Sequence, residues 1–249
     1  MKKLVLTLFS VLLTCLLYAQ KIEVSVNANS GLFSYSGIST TNASYIIQAA
    51  DSKNNYTNNP YGNKNGVSYG FDVQTQLITK SGFIFGLQTG YDVLRSKENL
   101  TGVYPLPVPV FFLPLANYYF AGPSIIPGNG DMYLQDQFIN LNPYIGYRLN
   151  LKKIKLDILP GADIGININS HDKGKITLND GSVYRTDYKR NNPPTDVRLK
   201  LGIAAAYNRF GITANYAYGL TNYEKDMIGD APYNAKSRLV RLGISYRIY

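Results

Sequence analysis

From residue 240 the chain reads Val240, Arg241, Leu242, Gly243, Ile244, Ser245, Tyr246, Arg247, Ile248. Apolar and polar positions alternate with a period of two, so a strand there shows one greasy face and one charged face. The same alternation recurs along the chain. It predicts strands over residues 22–35, 67–79, 83–93, 137–149, 156–168, 197–207, 210–220 and 236–249. The connections fall into two kinds. Lys80-Ser81-Gly82, Leu151-Lys152-Lys153 and Asn208-Arg209 are tight turns, whereas 36–65, 96–103, 128–131, 170–195 and 223–235 read as polar loops. Within 170–195, the stretch 176–184 reads as a hairpin tip around Asn179-Asp180-Gly181.

Residues 104–128 are rich in proline, which is poorly tolerated in central strands. As one loop the stretch would be long and oily in water. Read instead as a hairpin, it has strands over 104–113 and 118–126 turning at Leu115-Ala116-Asn117. The count is then ten strands, or eight with a long Pro-rich loop. Either even number, with short turns and long loops in strict alternation, predicts an all-β, closed, antiparallel up-and-down transmembrane β-barrel. The outer membrane of a cell envelope is the expected location. Short turns and both termini would be periplasmic and the long loops extracellular.

The start of the chain changes the domain picture. Lys2 and Lys3 precede an apolar run, residues 4–18, that ends at Ala19-Gln20. This is the form of a secretory signal peptide, residues 1–19, leaving a single barrel domain over 20–249. The one cysteine, Cys15, lies inside that run, so the mature chain would lack thiols, disulfides and cysteine nucleophiles. With 22 Tyr and no Trp, any aromatic girdle must be built from tyrosine. The net charge of +9 comes without a basic-aromatic cluster, so nucleic acid is not an expected partner.

If the apolar rows face lipid, the polar rows line the lumen. On the closing stretch Leu242, Ile244, Tyr246 and Ile248 form the membrane-insertion strand. The lumen then holds Glu23, Asp72, Asp92, Asp157 and Asp163 against Arg148, Lys155, Arg198, Lys200, Arg241 and Arg247. Isolated charges in a narrow interior are costly, so mutual pairing and a plugged lumen are expected; the alternative is a small pore or ligand carrier.

Catalytic chemistry has little to work with. His171, the one histidine, stands between Ser170 and Asp172, and neighbours on a strand point to opposite faces. The loop Asp and Asn residues lack the spacing of an oxygen-ligand cage. A non-enzymatic protein without cofactor or metal is the expectation. Its expected partners are outer-membrane lipid, the barrel-assembly machinery during insertion, and an envelope protein that the residues do not name.

Three segments carry a family likeness: the closing LGISYRIY, Tyr218-Gly219-Leu220-Thr221-Asn222, and Tyr119-Phe120-Ala121-Gly122-Pro123. In these the chain resembles the small outer-membrane β-barrel family that includes PorT-like proteins. Relatives end on the aromatic two places after the Tyr; here Ile248 holds that place and Tyr249 follows it. The resemblance implies a barrel, a hairpin over 104–126, and a role in protein secretion or another envelope assembly.

Overall fold

Strand β6, Ile126–Leu151, is 26 residues long and its neighbour β7, Ile154–Leu178, is 25. A tilted strand needs about 9–11 residues to cross a bilayer, so both strands run far past any membrane. The computed structural model describes residues 19–106, 124–191, 193–225 and 233–249. The expected signal peptide therefore lies almost wholly outside the described residues. The other strands are β1 (Ala19–Ser36), β2 (Ala43–Ile47), β3 (Tyr56–Thr57), β4 (Lys64–Thr79), β5 (Phe83–Tyr104), β8 (Val183–Lys189), β9 (Asp196–Tyr207), β10 (Phe210–Gly219) and β11 (Lys236–Arg247).

Eight of them close a ring in the order β5-β4-β1-β11-β10-β9-β7-β6, and β6 returns to pair with β5. Every contact in the ring is antiparallel. The ten-strand count is corrected to eight. β5 and β6 pair directly from Phe83↔Tyr147 to Val103↔Ile126, which leaves no place between them for a hairpin. The Pro-rich residues 107–123 that suggested it lie outside the described residues.

The connections sort to two rims. Tight turns at Gly82, Lys152-Lys153 and Asn208-Arg209 share one rim with the start of β1 and the end of β11. Lys152 and Asn208 each take the left-handed conformation at φ 53°, the geometry that two-residue hairpins require. All the longer connections leave from the opposite rim.

Between the rims the outer face is apolar. Ile145 is 61% exposed, Ile212 66%, and Leu242 and Ile244 68% each. Beyond Ile139 on β6 and Ile168 on β7 the sense inverts. There Leu100, Met132, Leu134, Ile176 and Leu178 turn inward and are buried, while Lys97, Lys175 and Arg185 face out. That is the pattern of a sheet in water. Several expected loops belong to this extension: 96–103 continues β5 and 128–131 continues β6. The polar stretch 36–65 holds β2, which pairs in parallel with the end of β5, and β3, which pairs with β2. On the other side β8 pairs with β7.

Candidate functional site

An eight-stranded barrel has an interior just wide enough for side chains to fill, and this one is filled in layers. At the tight-turn rim Glu23 is fully buried on β1. It meets Arg148 of β6 at 2.9 Å, Arg247 of β11 at 3.2 Å and Lys155 of β7 at 3.7 Å. Arg148 also grips Asp157 through two bonds of 2.7 and 2.6 Å, the fork geometry that suits a guanidinium and a carboxylate. Beside this layer Ile78, Ile84, Tyr144 and Leu159 pack into a small apolar cluster.

The next layer is amide-rich. Asp72 accepts from Asn27, and from Asn29 at 2.6 Å. Lys200 donates to Gln88 at 2.6 Å and Asn142 at 2.9 Å. These two charges therefore meet amides, not each other. Above them Arg241 bridges Asp92 at 2.6 Å and Asp163 at 3.4 Å, and Arg198 joins Asp163 at 3.0 Å to Asp196 at 2.7 Å. The eleven candidate lumen charges all lie on the inner face, and the Glu23–Arg148, Asp92–Arg241 and Arg241–Asp163 contacts cross the lumen. Asn27, Asn29, Gln88, Asn140 and Asn142, on the polar rows that alternation turns inward, belong to the same network, and so does Asp196, which lies before the expected strand 197–207. Asp196 opens β9 and sits two places before Arg198, on the same face, which is the signal that identifies it.

Among the described residues little space is left in the lumen. Two interior cavities, one beside Gln74 and Lys200 and one beside Asp72 and Arg241, hold about 20 and 10 Å³, room for about one water or less. Above the upper charged layer Phe33, Leu94, Phe138 and Leu239 continue the plug as apolar core. A shallow apolar groove of about 690 Å³ lies on the lipid side of β9, β10, β11 and β1, where Ala28 and Ala205 are flanked by Phe210, Ile244 and Tyr246.

The extension has its own polar ties. Asp172 on β7 accepts from Thr57 at 2.9 Å and from Arg190 at 2.5 Å. Asn55 donates to the Arg185 carbonyl at 3.1 Å, and Thr186 donates to the Asn55 carbonyl at 2.6 Å. These bonds stitch β3 to β8 opposite β5. Glu98 on β5 is 1% exposed, and neither carboxylate oxygen has a hydrogen-bond partner among the described residues. It stands beyond the lipid belt. Burial pushes its carboxyl up to about 8, with Asp172 adding to the rise and Ser44 and Arg190 opposing it.

Ser170 and His171 project to opposite faces. Ser170 is buried inside, whereas His171 points out and places Nδ1 2.9 Å from Asp187. Among the described residues no three His, Cys, Asp or Glu side chains form a metal-holding group, and no helix is long and apolar enough to cross a membrane.

A closed antiparallel ring with a filled polar interior and an apolar outer belt is a transmembrane up-and-down β-barrel. No protein-family model matches the chain, and no curated protein matches it in sequence. Among solved structures it is similar to Neisserial surface protein A (NspA), with 12% identity over 91% of this chain and 99% of that one, TM-score 0.34. It is also similar to Ail, the attachment invasion locus protein of Yersinia pestis, with 13% identity over 91% and 97%, TM-score 0.33. The outer membrane protease OmpT of Escherichia coli aligns with 9% identity over 91% and 96%, TM-score 0.35. At such scores none of these likenesses bears on what this chain does; the barrel assignment stands on its own faces and pairing.

Proposed function

We propose that this is a non-enzymatic outer-membrane barrel that acts through its extension, a stiff platform outside the cell that recognises a partner or a surface. The tight turns and both termini are then periplasmic. One observation carries this reading. The interior is closed by ion pairs and apolar packing, while β5, β6, β7 and β8 continue past the belt as an ordered sheet with its own buried core. A protein built mainly to conduct would have no use for the first feature, and one that merely fills membrane would have none for the second. Support of an envelope or secretion assembly is the form of recognition that the PorT-like resemblance implies.

Topology is the first test. Cys15 is the only native cysteine, so single cysteines can be read cleanly. Lys175→Cys on the extension should react with a membrane-impermeant maleimide on intact cells, and Lys153→Cys at the turn rim only after lysis. The opposite result overturns the orientation. A photo-crosslinker at Val183 should then capture an envelope component that a crosslinker at Lys153 does not; identical capture from both positions would count against a role for the extension.

A further inference from the structure

Just above the lipid belt the outer face of the extension carries three cross-strand rows. The first is Arg95–Gln135–His171–Lys189, the second Lys97–Tyr133–Lys173–Asp187, and the third Asn99–Asp131–Lys175–Arg185. Six cations thus share one patch with two carboxylates, Asp131 and Asp187. None of the six has a carboxylate within 4.0 Å among the described residues. This contrasts with the interior, where most charges are paired. Arg95 is also held in place: its Nε donates to Gln135 at 3.0 Å, and its guanidinium lies 5.5 Å from the Tyr69 ring and 5.4 Å from the Tyr133 ring.

Height selects the ligand. The first row lies four residues past Ile139 on β6 and the third row eight. At about 3.3 Å per residue and a tilt of roughly 35–45°, the rows stand about 10 to 20 Å above the belt. A phospholipid headgroup layer is only about 5–8 Å deep on each side. Snorkelling brings the first row down to it but leaves the others above. A lipid whose phosphates sit on a saccharide headgroup would reach further up the patch.

We propose that this face binds the phosphates of an anionic glycolipid in the leaflet around the loop rim, with Arg95 as the fixed contact and the lysines as the outer ones. The inference rests on that rim being extracellular. It gives the platform a lipid collar that fixes its height.

The test uses the purified barrel in nanodiscs of neutral phosphatidylcholine doped with bisphosphorylated lipid A, dephosphorylated lipid A or phosphatidylglycerol, with bound lipid counted by native mass spectrometry. The bisphosphorylated lipid should bind at least tenfold more tightly than either other lipid, and the preference should shrink as salt is raised. The variant R95Q/K97Q/K173Q/K189Q changes only outward-facing side chains of the two lower rows; it should keep the folded gel mobility and lose the preference. Equal binding of both forms of lipid A overturns the proposal, as does equal binding of phosphatidylglycerol or displacement by millimolar inorganic phosphate. A native barrel that inserts and labels from outside yet ignores lipid phosphate refutes this inference alone; one that never inserts overturns the membrane reading as well.

Discussion

Arg241 Nη1 lies 2.6 Å from Asp92 Oδ2, and the two residues stand on β11 and β5, strands three places apart around the ring. The contact therefore crosses the lumen and ties the closing strand to the far wall. Arg241 also reaches Asp163 at 3.4 Å. Removing one member of a buried pair costs about 3–5 kcal/mol, because the other charge is left without its partner. Arg241→Met should fall in that range, since it strips a partner from two carboxylates. Asp92→Asn should cost less, as Arg241 retains Asp163. Unfolding in urea, read from the folded and unfolded gel bands in detergent, measures both. Equal losses would show that the Asp163 contact contributes nothing.

The lipid face of β11 makes a second prediction. Ile244 is 68% exposed and stands between Ala28 and Ile212 on the outer wall. A basic residue at the midplane costs about 2–4 kcal/mol. Ile244→Arg combined with Tyr246→Arg should stop the chain reaching the membrane fraction in heat-modifiable form, while Ser245→Asn, on the inner face, should assemble. Normal assembly of the double variant would mean that the outward row is not in contact with lipid.

What the sequence shows of this fold depends on the solvent outside each strand. Where that solvent is lipid, as at Ile139, Leu141 and Ile145, the alternation against Asn140, Asn142 and Tyr144 reads directly. Past the belt the outside is water, so Lys97 and Asn99 turn out while Leu100 turns in, and the segment resembles a polar loop unless the inversion is sought. A bulge where Gln137 and Phe138 face residues 167–169 also shifts the inward set on β7 from Asp163 and Gly165 to Ser170 and Asp172. β2 is hidden for another reason. It is five residues long and pairs with a strand more than fifty residues away, so nothing local marks it. In the lumen, alternation identifies which charges face inward, but not that Lys200 would meet amides while Asp196 would join Arg198. Those choices depend on strand stagger.

Closure of the lumen predicts the electrical behaviour. Glu23, Arg148, Asp157 and Arg247 occlude the turn rim, and the Phe33–Phe138 core occludes the other half. The purified barrel in planar bilayers should show no steady conductance. Stable single-channel steps in the native protein would contradict the filled interior; a double variant opening the rim, Arg148→Ala with Glu23→Ala, is where steps should first be seen.

Glu98 gives the extension a pH dependence whose sign can be worked out. In the unfolded chain the carboxyl has its ordinary value of 4.5, and in the folded extension burial raises it to about 8. The folded form therefore holds its proton more tightly, and the stability linked to that proton is full below about 4.5 and is lost as pH rises toward 8. Each unit of such a shift corresponds to roughly 1.4 kcal/mol. Above pH 8 an ionised, buried carboxylate would sit beside Ser44 of β2, with Asp172 nearby to repel it and Arg190 already engaged by Asp172. The parallel contact of β2 with residues 99–104 is the short element that should yield. Amide exchange, corrected for its intrinsic pH dependence, should show β2 opening at least tenfold more often at pH 9 than at pH 6, with the belt strands unchanged. Glu98→Gln should flatten that profile, since the amide cannot ionise. A profile that stays steep in Glu98→Gln would move the effect to another group.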